Sequence, residues 1–380
     1  MGKPHMVEKT IFKDLPPGEA SKPDASYYEF RELQYAYDGI GQFPAAGDGI
    51  RRFLPLLPVE DLHVPVEDLG DTKLERIEEF GKTVGLSNVW VKREDLNPTG
   101  CFKDRESAVI ISAAKELGHD KVYIVSSGNA ALSTAKYAKD AGIRCLCFVP
   151  ESTSKGKMDL IRQYGAELET IPGFYEDVYR TVVDRKLDGW NVTSGQNPYR
   201  IEGGKTMAYE MLEQLGRVPD VIVIPSGNGG CLAATWKGFV ELHKMGKIDT
   251  LPQMVSVQIE GAAPIKVAFE ERKPFVRLGD IEDSIAEGII AQESYNSPQA
   301  VQALIESGGY VVEVKDKEVA TALKTIIETE GIIPEPTAAA GFAALAKITP
   351  NSPDDLVVVV NTGNGKKVME EVEKALTLAA

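Results

Sequence analysis

From about Asn88 onward the chain alternates short β-branched runs with longer stretches whose apolar residues recur at helical spacing. The short runs predict strands at Val89–Lys92, Lys121–Val125, Arg144–Val149, Leu168–Ile171, Val221–Ile224, Met254–Ile259, Tyr310–Val314 and Leu356–Val360. The spacing between them predicts helices at Arg105–Leu117, Ala131–Ala141, Lys155–Tyr164, Phe174–Lys186, Lys205–Leu215, Leu232–Met245, Asp316–Glu330 and Thr337–Lys347. Strands that are apolar on both faces and separated by helices belong in parallel sheets covered on both sides, so the fold class is α/β. Before Asn88 the pattern fails. Pro16, Pro17, Pro23, Pro44 and Pro55 break any long periodicity, and the first 60 or so residues read as irregular.

Three strands end alike. Val122–Val125 runs into Ser126-Ser127-Gly128-Asn129-Ala130, Val221–Ile224 into Pro225-Ser226-Gly227-Asn228-Gly229-Gly230, and Val357–Val360 into Asn361-Thr362-Gly363-Asn364-Gly365. Each reads as strand, hydroxyl-Gly-Asn turn, helix. In an open parallel sheet such turns lie at the carboxyl ends of the strands, where ligands bind. The middle turn is richest in glycine, so its N–H groups can approach an anion at a helix N-terminus. Any one of these turns is also what a tight strand-to-helix connection needs. A dinucleotide fingerprint fails because Leu232 stands where a glycine is required, and no Gly-Lys-Ser/Thr completes a phosphate loop of the nucleotide type.

Composition narrows the functions. With 42 Lys+Arg against 57 Asp+Glu the formal charge is 42 − 57 = −15, and no basic block is present, so nucleic acid is disfavoured as a partner. At roughly 100–200 residues per domain, 380 residues suggest two domains. Cys101, Cys145, Cys147 and Cys231 form no CxxC pair, and His5, His63, His119 and His243 are scattered, so neither a disulfide framework nor a metal site is expected. The apolar runs are far too short to span a bilayer, and the opening MGKPHMVEKT has no apolar leader region. A cytoplasmic protein without a membrane partner is expected, with Met1–His5 reading as an appended remnant ahead of Met6.

A fourth segment adds chemistry. Asn97-Pro98-Thr99-Gly100-Cys101-Phe102-Lys103-Asp104-Arg105 joins the strand Val89–Lys92 to the next helix and places a lysine at that helix's first turn. The dipole and the flanking N–H groups disfavour the ammonium there, which favours a nucleophilic amine.

With these segments in view the sequence resembles the fold-type II pyridoxal-phosphate enzymes, and within them the threonine synthases. The resemblance runs from about Thr72 to Lys367. It is carried by NPTGCFKDR (97–105), SSGNAA (126–131), NPYRIEGGKT (197–206), PSGNGG (225–230), EGAAPI (260–265), TEGIIPEPTAAA (329–340) and NTGNGKK (361–367). It implies a fold like that of the tryptophan synthase β chain: two parallel-sheet domains with pyridoxal 5′-phosphate (PLP) in the cleft between them. A mobile substrate domain would span 107–205, and 1–106 with 206–380 would form the larger, cofactor-binding domain.

Carried over residue by residue, Lys103 matches the lysine that holds the cofactor as a Schiff base, and Asn129 matches the asparagine bonded to its 3′-oxygen. Ser226, Gly227, Asn228, Gly229 and Gly230 match the loop around the 5′-phosphate. Thr362 matches the hydroxyl facing the pyridine nitrogen. Ser126, Ser127, Gly128 and Ala130 fall in the loop that grips the substrate α-carboxylate. Ser194 and Arg200 fall where the family faces the substrate phosphate, although Arg200 also reads as a structural ion pair at a helix start.

Departures from the threonine synthase pattern gather on the substrate side. Cys101 replaces a serine, Glu106 a glycine, Ala130 a hydroxyl residue, Ser194 an asparagine and Cys231 the loop's final asparagine. Ser284–Ile289 looks more like the corresponding stretch of threonine deaminases. Each lost hydrogen bond to a charged group weighs about 1.5–3 kcal/mol.

The resemblance implies a PLP-dependent lyase, a homodimer, converting O-phospho-L-homoserine and water to L-threonine and phosphate. Its rival is a β-replacement or deaminating enzyme acting on O-phosphoserine, serine or threonine. A non-enzymatic amino-acid sensor on a reused fold would lose Lys103, Asn129 and the phosphate loop, all of which are retained.

Overall fold

The computed structural model describes residues 4–10, 29–37, 39–44, 47–352 and 354–379. Its strands are β1 (His5–Thr10), β2 (Glu29–Gln34), β3 (Leu74–Arg76), β4 (Val89–Lys92), β5 (Lys121–Val125) and β6 (Arg144–Pro150). There follow β7 (Glu167–Ile171), β8 (Trp190–Asn191), β9 (Val221–Pro225), β10 (Gln253–Ile259), β11 (Tyr310–Val314) and β12 (Val357–Val360). The helices are α1 (Glu78–Thr83), α2 (Lys103–Glu116), α3 (Asn129–Ala141), α4 (Lys155–Gln163), α5 (Tyr175–Val183), α6 (Tyr199–Gly204) and α7 (Thr206–Leu215). They continue with α8 (Gly230–Lys244), α9 (Pro264–Glu270), α10 (Ser297–Glu306), α11 (Asp316–Glu330), α12 (Pro336–Ala344) and α13 (Met369–Leu378).

A six-stranded sheet runs in the order β11-β10-β9-β12-β4-β3, parallel except where β3 opposes β4. A four-stranded parallel sheet runs β7-β6-β5-β8. The smaller sheet is drawn wholly from residues 121–191, and the larger from 74–92 and 221–360. Alternation along the buried strands fills a core on each face. Ile222, Ile224, Val358 and Val360 join the core that reaches α2 and β5, while Val221, Val223, Val357 and Val359 pack with Leu323 and Phe342.

All eight expected strands form, three with the expected ends and five with one end displaced by a single residue. The expected helices form too, but Lys103, Asn129 and Gly230 already open theirs, so each turn runs straight into a first helical turn. The N-terminal region differs from the irregular reading. β1 and β2 pair antiparallel, and residues 49–56 wind into a 3₁₀ helix. β2 has no long apolar face to announce it; it is tied down instead by Lys237 Nζ, which donates to Leu33 O at 2.6 Å. Of the Met1–His5 stretch, residues 1–3 lie outside the described residues and His5 opens β1. Among the described residues no helix is long and apolar enough to cross a membrane.

Charge, not only apolar packing, fixes α2. Arg105 is buried and donates to Glu94 at 2.7 and 2.8 Å and to Glu210 at 2.6 Å through each terminal nitrogen. Lys92 Nζ completes the set on Glu210 at 2.8 Å. Two cations face two anions with all four side chains out of water, which ties β4, α2 and α7 together. Burial alone would raise the Glu210 carboxyl; the Arg105 and Lys92 charges beside it win and hold it well below the usual carboxylate range. Glu94 is held low in the same way.

Removing one member strands the others in a dry site. Arg105→Met is expected to lower the unfolding free energy by about 3–5 kcal/mol, whereas Arg144→Met, breaking the exposed, solvent-screened Arg144–Asp120 pair, should leave it essentially unchanged. Because the folded-state carboxyls sit low, their contribution is present above the unfolded carboxylate range near about 4.3 and fades as pH falls below it. Urea titrations of both variants near neutrality and in acid check this. Equal losses in the two variants would contradict it.

Candidate active site

The ends of β5, β9 and β12 and the start of α2 converge on one cleft of about 740 Å³, part of it open to solvent. Lys103 is placed there by the turn before it. Gly100 adopts φ +72° and its N–H donates to Asn97 O at 2.7 Å. The Asp104 carboxylate accepts from Thr99 N, Thr99 Oγ1 and Ser133 Oγ, each at 2.6 Å. Across the cleft floor, Phe102 N donates to Thr362 O at 3.2 Å and Asn364 N to Gly100 O at 2.8 Å. The lysine turn is thereby stitched to the end of β12, bringing Thr362 and Lys103 onto the same wall.

The turn after β5 closes on Ser126 Oγ, which accepts from Gly128 N at 3.0 Å and Ala131 N at 3.1 Å. Gly128 has φ +132°, and a Cβ there would come within 2.7 Å of Lys157 Cδ. No other residue fits. Asn129 Nδ2 donates to Glu335 Oε1 at 2.6 Å, while its Oδ1 is buried without a partner.

The turn after β9 is packed hard from behind. A Cβ on Gly227 would lie 3.0 Å from Gly288 O, and one on Gly229, whose φ is +81°, would lie 2.8 Å from Ala300 Cβ. Asn228 holds the loop to the segment before α10, its O accepting from Asn296 N at 2.9 Å and its Oδ1 from Tyr295 N at 3.4 Å. Gly230 opens the 15-residue α8, whose first N–H groups have no intrahelical acceptors. The cradle and the helix end together favour an anion.

Lys103, Ser126, Ser127, Asn129, Ala130, Ser194, Ser226 through Gly230 and Thr362 all line this cleft. Gly128 forms the turn behind them. Arg200 is not among the lining residues. It is buried, and its guanidinium donates to Glu106, Thr134, Val192 and Ser107. The ion-pair alternative describes that side chain better than an open phosphate receptor.

Three features went unread in the sequence. Glu106 puts both carboxylate oxygens on Lys103 Nζ, at 3.0 and 3.2 Å. Lys157, which reads as a solvated helix residue, is buried at the cleft with its Nζ on Glu287 and 4.0 Å from Glu335. Glu335 lies in the TEGIIPEPTAAA segment, but nothing in the spacing marks it as the partner of Asn129.

Cys101 and Cys231 border this site as buried free thiols. Burial pushes the Cys101 thiol up to about 11 and raises Cys231 as well. Both are thiols, not thiolates, at neutral pH, which suits Cys101 as a stand-in for serine and not as a second nucleophile. A thiol reagent at about pH 8 should label neither in the native protein and both after unfolding. Rapid native labelling of Cys101 would overturn this assignment.

Residues 67–363 match the family model described as pyridoxal-phosphate dependent enzyme. The threonine synthase of Methanocaldococcus jannaschii is 36% identical over 84% of this chain and 80% of its own length. That of a Synechocystis species is 38% identical over 84% and 82%. In fold, the chain is similar to an L-serine ammonia-lyase from Rhizomucor miehei (TM-score 0.70, 22% identity, 80% of this chain and 97% of that one). It is also similar to threonine deaminase isoform 2 from Solanum lycopersicum (TM-score 0.68, 22% identity, 84% and 91%).

The cleft suits the cofactor of that family. The glycine cradle at the α8 N-terminus is suited to a phosphate, Lys103 offers an amine to an aldehyde, and the unpartnered Asn129 Oδ1 and the Thr362 hydroxyl supply polar contacts for a ring. The chain belongs to the fold-type II pyridoxal-phosphate dependent enzymes, in their threonine synthase family.

Proposed function

We propose that this enzyme is a threonine synthase-like lyase that removes a leaving group from the side chain of a small amino acid and, in the full reaction, adds water in its place. The observation that carries the reading is Lys103, fixed at the start of α2 and facing three glycine-asparagine strand ends in one cleft. For the substrate that the family favours, O-phospho-L-homoserine, phosphate departs from Cγ and water adds at Cβ to give L-threonine.

PLP, when bound, supplies the electron sink that makes the substrate's Cα proton removable. The rest falls to the chain. N–H groups of the 127–130 turn hold the substrate carboxylate, and the 226–230 loop with the α8 N-terminus holds the cofactor's phosphate. Asn129 and Thr362 orient its ring. Lys103 takes the Cα proton and then one from Cβ, acting as base and acid in turn. Residues 107–205, which carry the smaller sheet, are the domain that closes over the cleft and limits water, against 1–106 with 206–380. We place the enzyme in the cytoplasm as a homodimer.

One observation favours a second reading, deamination or β-replacement of an amino acid without phosphate. Arg200, where a phosphate would be met, is already paired with Glu106.

Lys103→Ala is expected to abolish the visible band of bound PLP, with activity at least about 10³-fold lower, in line with the 10²–10⁴-fold contribution of a positioned base. Asn129→Ala should keep the band and weaken cofactor retention. Both are read by absorption spectra of purified protein with added PLP. A Lys103→Ala protein that still turned substrate over at the wild-type rate would overturn the assignment.

A further inference from the structure

Tyr175 opens α5 and is 8% exposed. Its ring packs edge-on against Tyr295, with centroids 5.6 Å apart, and stacks more loosely on Tyr179 at 6.5 Å. The residue lines the cleft, yet its hydroxyl is buried without a hydrogen-bond partner among the described residues. Arg200 and Asn228 approach that hydroxyl, but neither bonds it. Ser194 repeats the pattern. It lines the same cleft, and its Oγ is also buried without a partner among the described residues.

One aromatic side chain holds both. Gly195, at φ +80°, is pressed against Tyr295, and a Cβ there would come within 2.4 Å of Tyr295 Cβ. Tyr295 N in turn donates to Asn228 Oδ1 at 3.4 Å, which ties the aromatic to the glycine loop. The two hydroxyls therefore stand on contacts that give them little freedom to seek partners elsewhere.

A buried hydroxyl without a partner carries the cost of its lost hydration, and a ligand that accepts from it removes that cost. Burial raises the ionisation of the Tyr175 hydroxyl far above neutrality, and Tyr179 and Glu176 add to the effect, so it keeps its proton and remains a donor. Two cations of this cleft are already matched, Arg200 by Glu106 and Lys157 by Glu287. An anionic group on the substrate side chain must then lean on neutral donors, whose hydrogen bonds an ionised oxygen strengthens. Only a group with several acceptor oxygens satisfies both hydroxyls at once. A phosphate does so; a single hydroxyl or an ammonium does not.

Resting on the lyase reading above, we infer that Tyr175 is a substrate-binding residue whose hydroxyl, beside that of Ser194, donates to a phosphate on the substrate's side chain. The cofactor's own phosphate has the glycine loop and the α8 N-terminus, so Tyr175 is left for the substrate. The residue thereby favours a phosphorylated amino acid over one with a bare hydroxyl.

The test compares PLP-loaded wild type with PLP-loaded Tyr175→Phe, which keeps the ring and its packing on Tyr295 and removes the hydroxyl alone. Inorganic phosphate is titrated into each by calorimetry, and kcat/KM is measured for O-phospho-L-homoserine and for L-serine. Tyr175→Phe is expected to bind phosphate about tenfold or more weakly and to lose about tenfold or more in kcat/KM for phosphohomoserine, chiefly through KM. Its value for L-serine should stay within about twofold of wild type, and the visible band of bound PLP should be unchanged. Unchanged phosphate affinity overturns the inference. So does an equal loss on L-serine. A variant that instead releases PLP more readily also overturns it, because the hydroxyl would then serve the cofactor's phosphate. A wild-type cofactor band that responds to neither amino acid overturns the lyase reading, while the phosphate titration still reports on Tyr175.

Discussion

A guanidinium with no access to water governs where the cleft's lysine stands. Arg105 follows Lys103 by two residues and is clamped between Glu94 and Glu210, with Lys92 balancing the second carboxylate. Its partners come from the segment after β4 and from α7, so the first turn of α2 cannot slide or rotate without unpairing a buried charge. The turn that ends β5 of the smaller sheet and the glycine loop of the larger sheet both line the cleft at the start of this helix. The position of Lys103 relative to both therefore follows from one neutral cluster of four side chains.

The cleft itself is built on close approach. Gly128, Gly227 and Gly229 each have a neighbour where a side chain would begin, so the backbone is pressed against its supports and its N–H groups are left toward the ligand. That arrangement suits a phosphate or a carboxylate without any cation. It also explains how the cleft tolerates so many acidic neighbours. Glu106, Glu287 and Glu335 are each matched by a lysine or an arginine, which leaves little net charge for a second phosphate.

Much of this was legible in the sequence, because the fold's signals are local. Unbroken valine and isoleucine runs have no other use than a covered parallel strand, and the three hydroxyl-Gly-Asn turns announce the strand ends that meet at the ligand. Lys103 was legible for the same reason, as a lysine directly after a proline-glycine turn. What was not legible depends on long-range pairing. Glu106 stands out in the sequence only as a replaced glycine, and its partners are hidden until α6 delivers Arg200 to it from 94 positions away. Lys157 reads as a solvated lysine until Glu287, from a short turn before α10, and Glu335, from just before α12, arrive beside it. The antiparallel pairing of β1 and β2 is tied down by a lysine far along the chain. Arg200 shows the converse risk. Its match to the family implies a phosphate receptor, and the packing shows that its hydrogen bonds are already spent.

Two lysines line the cleft, Lys103 and Lys157, and the account depends on the first being the one that holds the cofactor. Borohydride reduction of the PLP-loaded protein followed by peptide mass mapping separates them directly. The account predicts a single pyridoxyl adduct on the peptide containing Lys103, with Lys157 unmodified. An adduct on Lys157, or none on either lysine, would contradict it.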